Sequence, residues 1–269
     1  MDDRPIGIFD SGFGGLSIVR ALIDLLPSED IVYVGDTARY PYGPRPLEQV
    51  RLFSQQIAKW LVTEHDVKMV VVACNTASAA SLDLLRFDLD VPVIGVIEPG
   101  LRAALAVTRR GRVGVIGTVG TISSGAYQRA VRKYRSSVEL VCAATPGFVE
   151  FVERGETDSD QVHVLAERLL SPVRQARVDT LLLGCTHYPF LARTIRDVMG
   201  TDVVLVSSAE ETAFEVSALL DHAGLNKRYP SKAEHLFYSS GETEWFLEVG
   251  RRLFGPELES VESVVWDQE

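Results

Sequence analysis

Val67-Lys68-Met69-Val70-Val71-Val72-Ala73-Cys74 and Val178-Asp179-Thr180-Leu181-Leu182-Leu183-Gly184-Cys185 are two versions of one pattern. Each run is apolar on successive residues instead of alternating, and each ends in a cysteine. Such a run reads as a strand buried on both faces, the mark of a parallel α/β sheet. A second pair, Ile6-Gly7-Ile8-Phe9-Asp10-Ser11 and Val113-Gly114-Val115-Ile116-Gly117-Thr118, precedes the first pair in each half at nearly the same offset. Two matched pairs in the same order point to a duplicated α/β unit.

Working outward, the same criterion predicts strands over 6–9, 31–34, 69–73, 93–96, 113–116, 138–141, 180–183 and 203–206. Helical patterns fill the gaps, among them 15–26, 47–64 and 162–177. Ile97-Glu98-Pro99-Gly100 carries the Pro-Gly punctuation of a linker between halves. The remainder holds a helix over 209–223, a strand at 236–238, a helix over 243–254 and a terminal segment 261–266. It is too short for a third unit and is expected to pack back onto the first half. The expected domains are therefore 1–97 with 208–269, a discontinuous unit, and 98–207.

Composition narrows the function. The chain has 269 residues, 46% of them apolar, and a formal net charge of -10. This apolar content excludes intrinsic disorder and suits a globular chain that buries about three quarters of its extended surface. The acidic balance, with no run of basic residues, argues against nucleic acid or an anionic membrane as a partner. The start, Met1-Asp2-Asp3-Arg4-Pro5, lacks the basic flank and apolar run of an export signal, and no run approaches the ~20 residues needed to span a bilayer. A cytoplasmic location is expected. Three cysteines, Cys74, Cys142 and Cys185, without C-x-x-C spacing, suggest neither a disulfide framework nor a metal site.

In open parallel sheets, ligands bind beyond the carboxyl ends of the strands. At those ends stand Asp10-Ser11-Gly12 and Gly117-Thr118, then Cys74-Asn75-Thr76 and Cys185-Thr186-His187. If the halves face each other, each offers one thiol to a shared cleft. A thiol between a strand and a helix N-terminus is expected to have a lowered pKa. Two opposed thiols suit proton removal from one face of a carbon and return on the other, which inverts a stereocentre.

Six segments in order resemble the glutamate racemases of the cofactor-independent aspartate/glutamate racemase superfamily. They are Ile8-Phe9-Asp10-Ser11-Gly12-Phe13-Gly14-Gly15-Leu16, Val34-Gly35-Asp36-Thr37, Pro41-Tyr42-Gly43, Ala73-Cys74-Asn75-Thr76-Ala77-Ser78, Gly114-Val115-Ile116-Gly117-Thr118 and Leu183-Gly184-Cys185-Thr186-His187-Tyr188-Pro189. The resemblance implies two pseudo-symmetric, doubly wound parallel-sheet α/β domains facing across a cleft. It also implies interconversion of L- and D-glutamate without a cofactor or metal, supply of D-glutamate for peptidoglycan, and a possible homodimer. Residue by residue, it puts the acid-base thiols at Cys74 and Cys185, with Asp10 assisting the first and Glu153 with His187 assisting the second. Substrate contacts fall on or beside Asp10, Ser11, Tyr42, Gly43, Asn75, Thr76, Thr118, Thr121, Thr186 and His187. Glu150 lies one helical turn from Glu153 and competes for its role.

Other readings stand beside this one. The same machinery could racemise aspartate or another amino acid. Gly12-Phe13-Gly14-Gly15 invites a dinucleotide site, but Ser17 fills the third glycine position of G-x-G-x-x-G, so a tight turn opening a helix is expected instead. A non-catalytic amino-acid clamp would also suit two facing lobes. Pyridoxal phosphate is disfavoured because Lys59, Lys68, Lys133, Lys227 and Lys232 all lie away from the predicted strand-end loops. Cys142 reads as a small core residue.

Overall fold

Strands Ile6–Asp10 (β1), Ile31–Gly35 (β2), Met69–Val72 (β3) and Val93–Gly95 (β4) lie parallel in the order β2-β1-β3-β4 in a computed structural model that describes residues 1–134, 137–228 and 232–266. Arg112–Gly117 (β5), Glu139–Ala144 (β6), Thr180–Gly184 (β7) and Val204–Val206 (β8) repeat that order as β6-β5-β7-β8 in a second parallel sheet. Each half starts on a central strand, steps to one side and then crosses back past its start, which is double winding. The last two strands, His235–Ser239 (β9) and Glu262–Ser263 (β10), extend the first sheet beyond β2. The C-terminal segment thus returns to the half in which the chain began.

The continuous apolar runs follow from burial on both faces. In the first sheet, Ile6, Ile8, Met69 and Val71 pack on one side against the helices Leu16–Leu25, Ala209–Ala223 and Thr243–Phe254. Phe9, Val70 and Val72 pack on the other against Leu47–His65 and Asn75–Asp88. Each such side chain contributes roughly 1.5–3 kcal/mol when fully buried, so a polar substitution on either face is costly. Lys68 sits at the opposite end of β3 from Cys74, where its ammonium pairs with Glu29 at 2.5 Å and donates to the Asp2 carbonyl at 2.9 Å.

Register places the chemistry. Phe9 of β1 lies opposite Val72 of β3, and Asp10 opposite Gly35 of β2, so Asp10, Asp36 and Cys74 emerge at one edge of the sheet. In the second sheet Gly117 lies opposite both Ala144 and Gly184, so Thr118, Thr145 and Cys185 emerge together.

Two local expectations change. The predicted helix over 162–177 is two helices, Asp160–Leu169 and Ser171–Gln175. Pro172 has no N–H with which to continue the first helix and instead opens the second. Ile97-Glu98-Pro99-Gly100 is not an extended linker but the first turn of the helix Ile97–Val107. Proline is tolerated there because a first-turn N–H has no intrahelical acceptor. Among the described residues, no helix is long and apolar enough to cross a membrane.

Candidate active site

Cys74 caps the N-terminus of the helix Asn75–Asp88, with extended backbone (φ -71, ψ 124). Its Sγ–H points at Ser11 Oγ, 3.7 Å away. The lowered pKa expected from the helix end is not found. Burial, and then the charge of Asp10, push this thiol up to about 12, and the Ala77 N–H and Ser11 hydroxyl offset them only in part. A few partial charges at a helix end do not outweigh full removal of a thiolate from water. Asp10 is itself fully buried. Its Oδ1 accepts from Gly12 N–H at 2.9 Å and its Oδ2 from the Thr186 hydroxyl at 3.3 Å. Burial raises its pKa, against the pull of His187, the Gly12 and Gly15 N–H groups and Thr186.

Cys185 has a different setting. A turn and a 3₁₀ segment, Tyr188–Leu191, follow it before the helix Ala192–Met199 begins, so no long helix points at this sulfur. Instead Sγ lies 3.9 Å from His187 Nδ1, and His187 Nε2 lies 3.0 Å from Glu153 Oε1. Burial alone would depress His187, but Cys185 and Glu153 prevail and hold it up at about 10. Both contacts favour the protonated form of the imidazole. Of the two competing carboxylates, Glu153 bonds the histidine, while Glu150 is exposed at the cavity rim.

Both cysteines line one cavity of about 90 Å³. Ser11, Tyr42, Gly43, Asn75 and Thr76 line it from the first half, and Thr118, Thr186 and His187 from the second. Asp10, Thr121 and Glu153 do not line it. They stand one layer behind, bonded to Thr186, to Thr76 and Thr118, and to His187. The hydroxyls of Thr76, Thr118 and Thr121 form a triangle with sides of 2.9, 3.1 and 3.0 Å. Asn75 Nδ2 donates to the Tyr127 hydroxyl at 3.0 Å, and among the described residues its buried Oδ1 accepts from no donor. The Tyr42 hydroxyl donates to Asp36, so its polar end is already committed.

Within the glycine-rich run, Gly14 is a contact between the halves. A Cβ on Gly14 would overlap Thr186 Oγ1 and come within 2.5 Å of His187 Nδ1. Gly43 is packed in the same way against Thr118, 2.8 Å from where its Cβ would be. These glycines admit the facing half, and the run turns into the helix Leu16–Leu25 as expected.

Sequence reasoning passed over Tyr40, Thr145 and Asp36. Tyr40 and Thr145 line the cavity, and Thr145 bonds the Tyr188 hydroxyl at 2.7 Å. The strand-end rule would have found Asp36 had it been applied to the second strand of the first half, but not Thr145, because β6 runs three residues beyond the predicted 138–141. None of the described lysines lines the cavity. Cys142 lies in β6, away from it, with its thiol pushed up to about 11 by burial.

The sequence profile of the Asp/Glu/Hydantoin racemase family matches residues 14–215, which include both cysteines. The chain belongs to that family. The curated glutamate racemase of Geobacter metallireducens is 48% identical over 266 residues, covering 99% of this chain and 98% of the relative. That of Mycobacterium marinum is 51% identical, covering 97% and 96%. A crystal structure of a glutamate racemase isoform from Bacillus anthracis superimposes with a TM-score of 0.93 at 40% identity, over 99% of this chain and 98% of that one. The glutamate racemase of Francisella tularensis, solved in complex with D-glutamate, gives 0.91 at 35% identity over 98% of each chain. Family membership and fold thus agree with the resemblance carried by the six sequence segments.

Proposed function

We propose that this chain interconverts L- and D-glutamate without a cofactor, with Cys74 and Cys185 acting as base and acid on opposite faces of the α-carbon. The observation that carries the reading is that two sulfurs from opposite halves share one cavity while each has its own proton partners. One cysteine, as thiolate, removes the α-hydrogen. The other, as thiol, delivers a hydrogen to the opposite face, leaving the enantiomer and a reversed pair of protonation states. The electron pair left on the α-carbon delocalises into the adjacent carboxylate, whose growing charge must be met by fixed donors.

The surrounding residues suit that task. The threonine hydroxyls can rotate to donate to a carboxylate, and the helix beginning at Asn75 offers free N–H groups to an anion. Asn75 Oδ1 has no donor among the described residues, and an α-ammonium would supply one. That same positive charge would ease ionisation of the deeply buried Cys74. Asp10 on one side and the His187–Glu153 pair on the other would set the proton affinities of the two thiols. Many relatives matched over nearly their whole length are glutamate racemases, which favours glutamate over aspartate as substrate.

The same reading includes two domains, 1–97 with 208–269 and 98–207, a cytoplasmic location, a homodimer, and D-glutamate destined for peptidoglycan. The test is circular dichroism of purified protein with L-glutamate and no additive. Decay of the signal to zero, and the same end point from D-glutamate, is the expected result. Stable signals from both enantiomers would refute the assignment.

A further inference from the structure

Asp36, fully buried just past the end of β2, accepts four side-chain hydrogen bonds. Its Oδ2 takes Arg39 Nε at 2.7 Å together with the Tyr42 hydroxyl. Its Oδ1 takes Ser240 Oγ and Trp266 Nε1, each at 2.7 Å. Its backbone N–H donates to the carbonyl of Asp10 at 3.0 Å. The donors come from the loop that walls the cavity, from the turn after β9 and from the segment after β10. A carboxylate whose oxygens are all engaged cannot turn freely, so what holds one oxygen also orients the other.

Trp266 grips this unit in a second way. The Arg39 guanidinium lies 4.2 Å from the Phe53 ring centroid and 5.1 Å from that of Trp266, and its Nη1 donates to Gln56 Oε1 at 2.7 Å. Trp266 thus bonds the acid and covers the base of the Asp36–Arg39 ion pair. At the other end of the network, Tyr42 is almost fully buried and lines the cavity, and the carbonyl of Gly43 accepts from Gly120 N–H at 2.8 Å. The wall is held to the first half by Asp36 and to the second half by its own backbone.

We infer that Asp36 and Trp266 are positioning residues for substrate binding: Trp266 fixes the Asp36 carboxylate, and Asp36 fixes Tyr42–Gly43 as one wall of the cavity. This rests on the functional reading above and extends it to residues that do not line the cavity. The wall carries no proton-transfer group, so disturbing it weakens ground and transition state alike and shows in KM.

The test is Trp266→Phe, which removes the N–H donor while keeping a smaller aromatic ring, combined with Tyr42→Phe in a double-mutant cycle. Trp266→Phe should raise KM for glutamate about 3–10-fold, the scale of one ordinary hydrogen bond, since the lost bond acts on the wall only through Asp36, with kcat within about twofold of wild type. In the Tyr42→Phe background the same change should alter KM by less than about twofold, because the link it acts through is already cut. A purely structural staple predicts a lower Tm with unchanged KM, and that result overturns the inference. Effects that multiply in the double variant overturn it too. A wild-type protein inert toward glutamate is a separate outcome that removes the functional reading, and this inference with it.

Discussion

Thr186 Oγ1 donates to Asp10 Oδ2 across 3.3 Å, so the residue that follows one thiol is bonded to the carboxylate beside the other. The surroundings of the two thiols are therefore linked. His187, two residues beyond Cys185, also acts on Asp10, lowering the proton affinity that burial raises. A change on either side of the cavity is felt on the other.

Glu153→Gln tests the second set. Glu153 is one of the groups that raise His187, so its loss lowers the imidazole pKa from about 10. The cation then disappears at a lower pH than in wild type. The alkaline limb of the kcat/KM profile should shift toward neutral pH, and kcat at pH 8 should fall by about 10²-fold, the scale of a lost acid-base contribution. A full pH–rate profile of both proteins checks this, and an unmoved alkaline limb would mean that His187 does not act as a cation in turnover.

Gly14→Ala tests the contact between halves. The added methyl meets Thr186 Oγ1 and the His187 ring, neither of which is the free end of a long flexible side chain. We expect a destabilisation of about 1–3 kcal/mol, the scale of overpacking, and a fall in kcat beyond what the lost folded fraction explains. Urea unfolding alongside rate measurements separates the two effects. Wild-type kcat in Gly14→Ala would show that the Thr186–His187 turn can withdraw without harm.

Lys68→Met tests stability away from the cavity. The change leaves Glu29 as a buried carboxylate without its cation. Breaking a buried pair from one side costs about 3–5 kcal/mol. Because this pair lies at the far end of β3, KM and kcat of the folded protein should match wild type. Thermal denaturation with and without glutamate, together with kinetics at 20 °C, checks both halves of the statement.

Much of this was legible in the sequence for a physical reason. Val67 to Cys74 and Val178 to Cys185 announce themselves because parallel strands covered on both sides tolerate no polar alternation, and because both runs end in the same uncommon residue. The six segments quoted above carried the family, and the family profile and relatives bear that out. Other features depend on what surrounds a residue. The Cys74 thiol was expected to be acidic from its place at a helix end, yet burial and Asp10 dominate, and neither can be read from neighbours in the chain. Pro99 resembles a linker residue until the helix that it opens is seen. Tyr42 offers a hydroxyl on paper that Asp36 occupies in the fold, and the tie from Asp36 to Trp266 joins residues far apart in sequence.

The most direct test of the two-thiol account is the fate of the α-hydrogen during the first turnovers of L-glutamate in heavy water. If opposed thiols act from opposite faces, early D-glutamate carries deuterium at the α-carbon, while the unreacted L-glutamate keeps its original hydrogen. Deuterium entering recovered L-glutamate as fast as D-glutamate forms, or D-glutamate that retains the substrate's own hydrogen, would mean that a single base serves both faces and would contradict the account.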